Sequence, residues 1–116
     1  MNKLYNLARM NTSTVGTGTM TLGLAVTGFL TFANAGISNG EVVTYAIRDG
    51  SNTEIGLGTY TSAGTTLSRT TVYRSTGAAF TGKITLSGTA QVFITTAKED
   101  IEILQDGQYL FFRPIG

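Results

Sequence analysis

Few side chains in this sequence are suited to acid–base chemistry, and two of them fall on neighbouring predicted strands. The chain has seven Asp and Glu residues, eight Lys and Arg residues, and neither His nor Cys. Glu41 and Glu54 are candidates for the two carboxyl groups that a glycosidase places around the bond it cleaves, one of them with a raised pKa. Glu41 lies beside a predicted turn, where a solvated charge at a strand end explains it equally well. We therefore expect that the chain is not an enzyme.

The sequence signals for nucleophilic catalysis, metal binding and phosphate binding are also weak. Without His and Cys the chain lacks the commonest general base, the commonest metal ligand and any disulfide. A Ser or Thr nucleophile would need a Lys or carboxylate base, and no Ser-x-x-Lys spacing is present. Residues 49–54, DGSNTE, offer oxygens to calcium but lack the alternating ligands of an EF-hand loop. The glycines of 16–18 and 56–58 do not complete a phosphate-binding motif. We expect no metal and no cofactor.

Charge and composition bear on the partners. The net charge is +1 and the basic residues are scattered, so the sequence shows no footprint for nucleic acid. No apolar run approaches the roughly 18 residues of a membrane-spanning helix. Charged residues make up only 13% of the chain, whereas Thr occurs 21 times. A weakly charged surface rich in Thr is typical of a protein that packs against copies of itself or against a partner.

Hydrophobic alternation with a period of two predicts strands along most of the chain. Turn residues such as Asn39-Gly40 separate them, and Gly56 and Gly58 should leave a flat surface where another backbone or a ring can lie. Thr31 is expected to cap a helical turn that ends at Gly36, with Phe29 and Phe32 on one face. The predicted strands cover residues 17–24, 41–48, 53–60, 66–75, 83–86 and 91–96.

This spacing of turns predicts an all-β fold, a small antiparallel β-sandwich or barrel. We expect a short N-terminal arm at residues 1–11, the β module at 12–100, and a C-terminal hairpin extension at 101–116. The hairpin carries a dense aromatic group, Tyr109, Phe111 and Phe112. These side chains are predicted to cover an edge strand or to form an assembly interface with a neighbouring subunit.

Five blocks of sequence resemble, in order, a module of tailed-bacteriophage virion structural proteins. That module combines a Thr-Gly-Thr-Gly-Thr start, a Phe-Ala-x-Ala-Gly segment, a Tyr-x-Ile-x-Asp-Gly hairpin, a Glu-x-Gly-x-Gly-x-Tyr strand and a Thr-Thr-Leu-x-Arg-Thr strand. The resemblance covers roughly residues 12 to 100, and its motifs are structural. The matching blocks are residues 15–23, 25–36, 42–50, 54–76 and 84–100.

The resemblance implies a non-enzymatic virion component that contacts the major capsid protein or a tail protein. It also implies that Glu54 and Arg69 form the module's recurrent charged pair, which we expect to bridge adjacent strands. A capsid decoration or head-fibre protein, assembled as a homotrimer, is favoured. A tail-fibre or baseplate piece, and a receptor- or carbohydrate-binding module using Tyr60 and Tyr73, are the alternatives. The module's core-like positions correspond to Tyr45, Ile47, Tyr60, Leu67, Val72, Val92 and Ile94, and its turns and flat strand to Gly50, Gly56, Gly58 and Gly64.

Overall fold

The computed structural model describes residues 3–98 and residue 100. Within them the chain forms nine strands, a short helix and a 3-10 turn, and Lys98 and Asp100 are also helical. The strands are β1 (Arg9–Thr12), β2 (Val15–Gly16), β3 (Met20–Ala25), β4 (Val42–Asp49), β5 (Asn52–Thr61), β6 (Thr66–Leu67), β7 (Thr71–Ser75), β8 (Leu86–Ser87) and β9 (Ala90–Ile94). The helix α1 covers Phe32–Ala35, and the 3-10 turn covers Ala78–Phe80.

Six of these strands close into an antiparallel β-barrel, which confirms the all-β prediction and decides for a barrel over a sandwich. The order around the barrel is β4, β9, β1, β3, β6 and β5, and β5 pairs with β4 again to close the circle. Closure gives each of these six strands a paired neighbour on both sides, which protects them from pairing with another chain. Strand β7 pairs with the first half of β5, and β2 pairs with β8 in a separate two-stranded ribbon.

The barrel interior follows from the alternation along each strand. Inward-facing side chains of all six strands meet in one core, to which Phe32 of α1 and Ile84 before β8 also belong. Five of the seven core-like positions are fully buried, while Val72 and Ile94 are half-buried. The core consists of Ala8, Met10, Met20, Leu22, Phe32, Ile37, Val43, Tyr45, Ile47, Tyr60, Leu67, Ile84, Leu86, Ala90 and Val92.

Two inward-facing glycines of β5 shape the barrel wall. A Cβ at Gly56 would lie 2.0 Å from the Thr71 carbonyl oxygen, and one at Gly58 would lie 2.0 Å from the Ser68 carbonyl oxygen. The backbone of residues 68–71 therefore occupies the space that two side chains would fill. It stays bonded to β5 there, since Thr70 N–H donates to the Leu57 carbonyl at 2.9 Å. The predicted flat surface is confirmed, and a backbone lies on it.

Because the backbone of residues 68–71 lies across β5, the predicted strand 66–75 is not continuous. It is interrupted at residues 68–70, so that β6 and β7 are separate strands along β5. The predicted strand 83–86 is also too long, because only Leu86–Ser87 pairs, with β2. The barrel begins at Arg9, inside the range assigned to the N-terminal arm.

The helical turn forms as expected at its ends. The Thr31 hydroxyl accepts a hydrogen bond from Asn34 N–H at 3.1 Å, and Gly36 ends the helix with φ of 107°. The expected common face of Phe29 and Phe32 is wrong, because Phe32 is fully buried and Phe29 is exposed. The predicted C-terminal hairpin, with Tyr109, Phe111 and Phe112, lies outside the described residues.

Candidate functional site

Glu54 and Arg69 meet inside the barrel, and both side chains are completely buried. Arg69 donates from Nη2 to Glu54 Oε1 at 2.5 Å and from Nε to Glu54 Oε2 at 3.0 Å. This is the two-pronged geometry in which a guanidinium best matches a carboxylate. The pair differs from the expected bridge between adjacent strands in one respect. Arg69 lies in the break between β6 and β7. In the ladder between β5 and β7, the residue opposite Glu54 is Ser75.

Neighbouring groups satisfy the rest of the pair's hydrogen-bonding capacity. Tyr45 donates its hydroxyl to Glu54 Oε2 at 2.6 Å, and Ile84 N–H donates to Glu54 Oε1 at 2.9 Å. Arg69 also donates to the carbonyls of Ile84 at 2.7 Å and of Gly16 at 3.3 Å. No buried side-chain nitrogen or oxygen among the described residues lacks a partner. We call Tyr45, Glu54 and Arg69 with these backbone groups the buried polar cluster.

The cluster shifts the pKa values of its members in directions that favour the ion pair. Burial alone would raise the pKa of Glu54, but hydrogen bonds from Arg69, Tyr45 and Ile84 N–H outweigh it and hold that pKa below its usual range. Burial would lower the pKa of Arg69, yet its bonds to Glu54 raise it. Burial and the hydrogen bond to Glu54 raise the pKa of Tyr45. The cluster therefore holds one anion, one cation and one neutral phenol.

Lowering the pH is expected to destabilise the fold through Glu54. A carboxyl group whose pKa is lowered by folding contributes stability above its unfolded pKa, about 4.3, and loses that contribution as the pH falls further. The Glu54→Gln variant should therefore show a shallower loss of stability between about pH 4.5 and pH 2. Urea unfolding followed by circular dichroism at several pH values measures this slope.

Glu41→Gln is the matched control. The pKa of Glu41 is also lowered, through hydrogen bonds from the Tyr5 hydroxyl and Ser38 N–H, but Glu41 is only partly buried. We expect a smaller change of slope in this variant, because water competes for its partners. If the free energy of unfolding falls equally steeply with decreasing pH in the wild type and in Glu54→Gln, the role of Glu54 is contradicted.

The two carboxylates considered for glycoside hydrolysis do not come together. Glu54 is opposite Ile47 of β4, and Glu41 precedes Ile47 by six residues, which is about 20 Å along a strand. Both pKa values are lowered, whereas a glycosidase needs one raised carboxyl pKa. The geometry offers no acid–base pair at these positions.

The remaining described carboxylates are also bonded to the protein itself. Asp49 accepts from Ser87 N–H at 2.6 Å and from the Ser87 hydroxyl at 2.7 Å, which ties the β4–β5 hairpin to β8. Asp100 accepts from Ala97 N–H and from the Thr44 hydroxyl, each at 3.0 Å. The turn that offered oxygens to calcium is thus a hairpin whose aspartate is occupied. The described part of the chain contains no group of three or more potential metal ligands.

Sequence reasoning found Glu54 and Arg69 but missed Tyr45, Ile84 and Gly16 as their partners. One signal was available, because alternation puts Glu54 on the same face of β5 as Gly56, Gly58 and Tyr60, which is the inner face. An acid on an inner face requires a buried cation and further donors. The contributions of Ile84 and Gly16 are backbone groups, which leave no trace in residue type.

With the geometry described, comparison with known proteins adds no relative. No family model, no curated protein and no solved structure matches this chain. Among the described residues there is also no helix long and apolar enough to cross a membrane. Any function is therefore proposed from the residues and their geometry.

Proposed function

We propose that this protein is a non-enzymatic structural component of a bacteriophage virion, of the capsid-decoration or head-fibre type. The observation that carries the proposal is that the chain's charged pair lies sealed inside the barrel. Glu54 and Arg69 have fully buried side chains that bond to each other, to Tyr45 and to backbone groups. Such a cluster stabilises the barrel, and neither charge of the Glu54–Arg69 pair is exposed to a substrate.

The positions of the resemblance support the same proposal. Its charged pair and glycines occupy the interior and the turns of the barrel, where they set the fold. Gly50 and Gly64 have φ of 63° and 78° in turns, and Gly56 and Gly58 admit the crossing backbone. The pair and these glycines act on the fold itself, which supports the proposal of a structural protein.

The outer surface offers apolar side chains for assembly. Leu24 is 81% exposed, and Leu7, Phe29 and Leu30 are also exposed. Leu7 and Leu30 are neighbours, since Leu30 N–H donates to the Leu7 carbonyl. Exposed apolar side chains in a group are typical of protein–protein contacts. We propose that they contribute to contacts within a homotrimer or with the capsid shell.

Copy number in the particle tests this function. Quantitative mass spectrometry of purified virions that carry the chain is expected to find it in amounts comparable to the major capsid protein. A copy number that matches the symmetry of the tail would place it in the tail or baseplate instead. Absence from the virion, with the chain present in infected cells, would contradict the proposal altogether.

A further inference from the structure

The outer face of the barrel carries a row of apolar side chains that ends in an arginine on each side. Phe93 of β9 is opposite Ala46 of β4, which is in turn opposite Ile55 of β5. Arg9 of β1 is the neighbour of Phe93 at one end, and Arg74 of β7 is the neighbour of Ile55 at the other. The row therefore runs across five strands at right angles to them.

A shallow depression of about 390 Å³ lies over this row, and we call it the arginine groove. Ala46, Ile55 and Phe93 form its apolar floor, and Arg48 and Arg74 border it. Arg9 extends this border, since its guanidinium lies over the Phe93 ring at 4.5 Å and its Nε donates to Gln91 at 2.8 Å. Arg9 and Arg48 also line a second, adjoining depression.

Among the described residues, no exposed acid compensates the positive charge of the groove. Glu54 is the acidic residue that the described lining contains, and its carboxylate lies on the inner face, bound to Arg69. Arg48 and Arg74 are exposed, and within the described part of the chain Arg48 makes a long hydrogen bond of 3.4 Å to the Gly50 carbonyl. An apolar floor between cations fits a ligand that has apolar groups in its middle and anionic groups at its ends.

A second copy of the described barrel does not supply that ligand. Its four described carboxylates, those of Glu41, Asp49, Glu54 and Asp100, already accept hydrogen bonds within their own chain. Seven basic residues accompany these four acids in the described part of the chain. Two such surfaces would repel each other at the arginine groove, so the described residues of a second copy do not supply the complementary charge.

We propose that the arginine groove binds an extended acidic segment of a partner protein. Four interstrand steps separate Arg9 from Arg74, and at about 4.8 Å each they span about 19 Å. An extended peptide covers this distance with about six residues. The segment carries carboxylates near both ends, which pair with the arginines, and apolar side chains between them, which lie on Ala46, Ile55 and Phe93.

Binding of an acidic segment does not depend on a virion role, and it is tested on the purified protein alone. The probe is an array of six-residue peptides with random apolar residues at the central positions. One set has Asp or Glu at both ends, and the matched set has Asn or Gln there. We expect the protein to be retained by the acidic set and not by the amide set. Equal retention by both sets, or retention by neither, would overturn the proposal.

Charge variants locate the binding site. The double variant Arg48→Gln/Arg74→Gln should weaken binding of the best acidic peptide by about tenfold or more, as expected for lost charge-assisted hydrogen bonds. The control Lys3→Gln/Lys83→Gln removes the same charge from two exposed residues that do not line the groove, and its binding should be unchanged. An equal loss in both double variants would show general attraction of anions and refute the site.

Two further outcomes also count against the acidic segment. Single-stranded oligonucleotides that compete with the peptide at equal charge concentration would identify a general polyanion site. Self-association of the wild-type protein that Arg48→Gln/Arg74→Gln abolishes, seen by sedimentation velocity, would place a second copy in the groove. If oligonucleotides do not compete and the protein does not self-associate through the groove, the partner is a distinct acidic polypeptide.

Discussion

Replacing Arg69 with methionine is expected to destabilise the protein by about 3–5 kcal/mol, because it leaves the Glu54 carboxylate buried without its cation. Small domains are stable by about 5–15 kcal/mol, so this loss removes much of the margin and can prevent folding at neutral pH. Glu54 keeps hydrogen bonds from Tyr45 and Ile84, which do not offset the cost of an unpaired charge in the barrel interior. Urea unfolding followed by circular dichroism measures the change.

The double-mutant cycle with Glu54→Gln keeps this expectation testable even if the single variant folds poorly. Glutamine at position 54 carries no charge, so Arg69→Met/Glu54→Gln should be more stable than Arg69→Met alone. Exchanging the two residues is not expected to restore stability. The Ile84 N–H and the Ile84 and Gly16 carbonyls have fixed directions that match an acid at position 54 and a base at 69.

Arg74→Met is the matched control for Arg69→Met, since Arg74 belongs to β7 and is exposed. Its effect should stay within about 0.5 kcal/mol, as for most surface substitutions. The buried ion pair is contradicted if the changes in unfolding free energy of the two single variants add up in the double variant. It is also contradicted if Arg69→Met and Arg74→Met lose the same amount of stability.

Substituting alanine for Gly56 or Gly58 is the second large effect, with an expected loss of about 3 kcal/mol for each. The added methyl carbon would lie 2.0 Å from a backbone carbonyl oxygen, so the segment 68–71 would have to move away from β5. A backbone segment bonded on both sides of the contact cannot rotate out of the way as a flexible side chain does. Since Arg69 belongs to this segment, its pairing with Glu54 should weaken as well.

Gly18→Ala serves as the control. Nothing lies within 4 Å of a Cβ at Gly18, and its backbone is not left-handed. Alanine there should leave stability unchanged or raise it by up to about 1 kcal/mol, because it restricts the unfolded chain. Melting temperatures from circular dichroism of the three variants give the comparison. Equal behaviour of Gly56→Ala and Gly18→Ala would show that the crossing backbone is not in close contact.

Local sequence patterns predicted much of the fold. Alternation along residues 41–60 yields the β4–β5 hairpin to within one residue at each outer end, because each strand has one buried face. Thr31 and Gly36 mark the two ends of α1 by capping chemistry that depends on neighbours in the chain alone. The strands 66–75 and 83–86 were predicted too long, because contacts with distant residues interrupt them.

The candidate site was predictable in its charges and unpredictable in its surroundings. Glu54 and Arg69 were paired through a resemblance, and alternation places Glu54 on the inner face of β5. Tyr45 is a partner only because the barrel brings its hydroxyl to Glu54. The arginine groove was missed entirely, since Arg9, Arg48 and Arg74 are far apart in the sequence and come together only through the pairing of β1, β9, β4, β5 and β7.

Residue types and their order are enough to predict an all-β chain, a flat strand at Gly56 and Gly58, and few groups available for catalysis. These properties depend on residue type and on neighbours a few positions away, which act through local backbone preference and alternation. The closure of the strands into a barrel, and the burial of the Glu54–Arg69 pair inside it, follow from the tertiary structure alone. The physical reason is that burial and strand pairing are properties of contacts between distant residues. Whether a charged side chain is reactive or stabilises the fold depends on which backbone groups the closed barrel places around it.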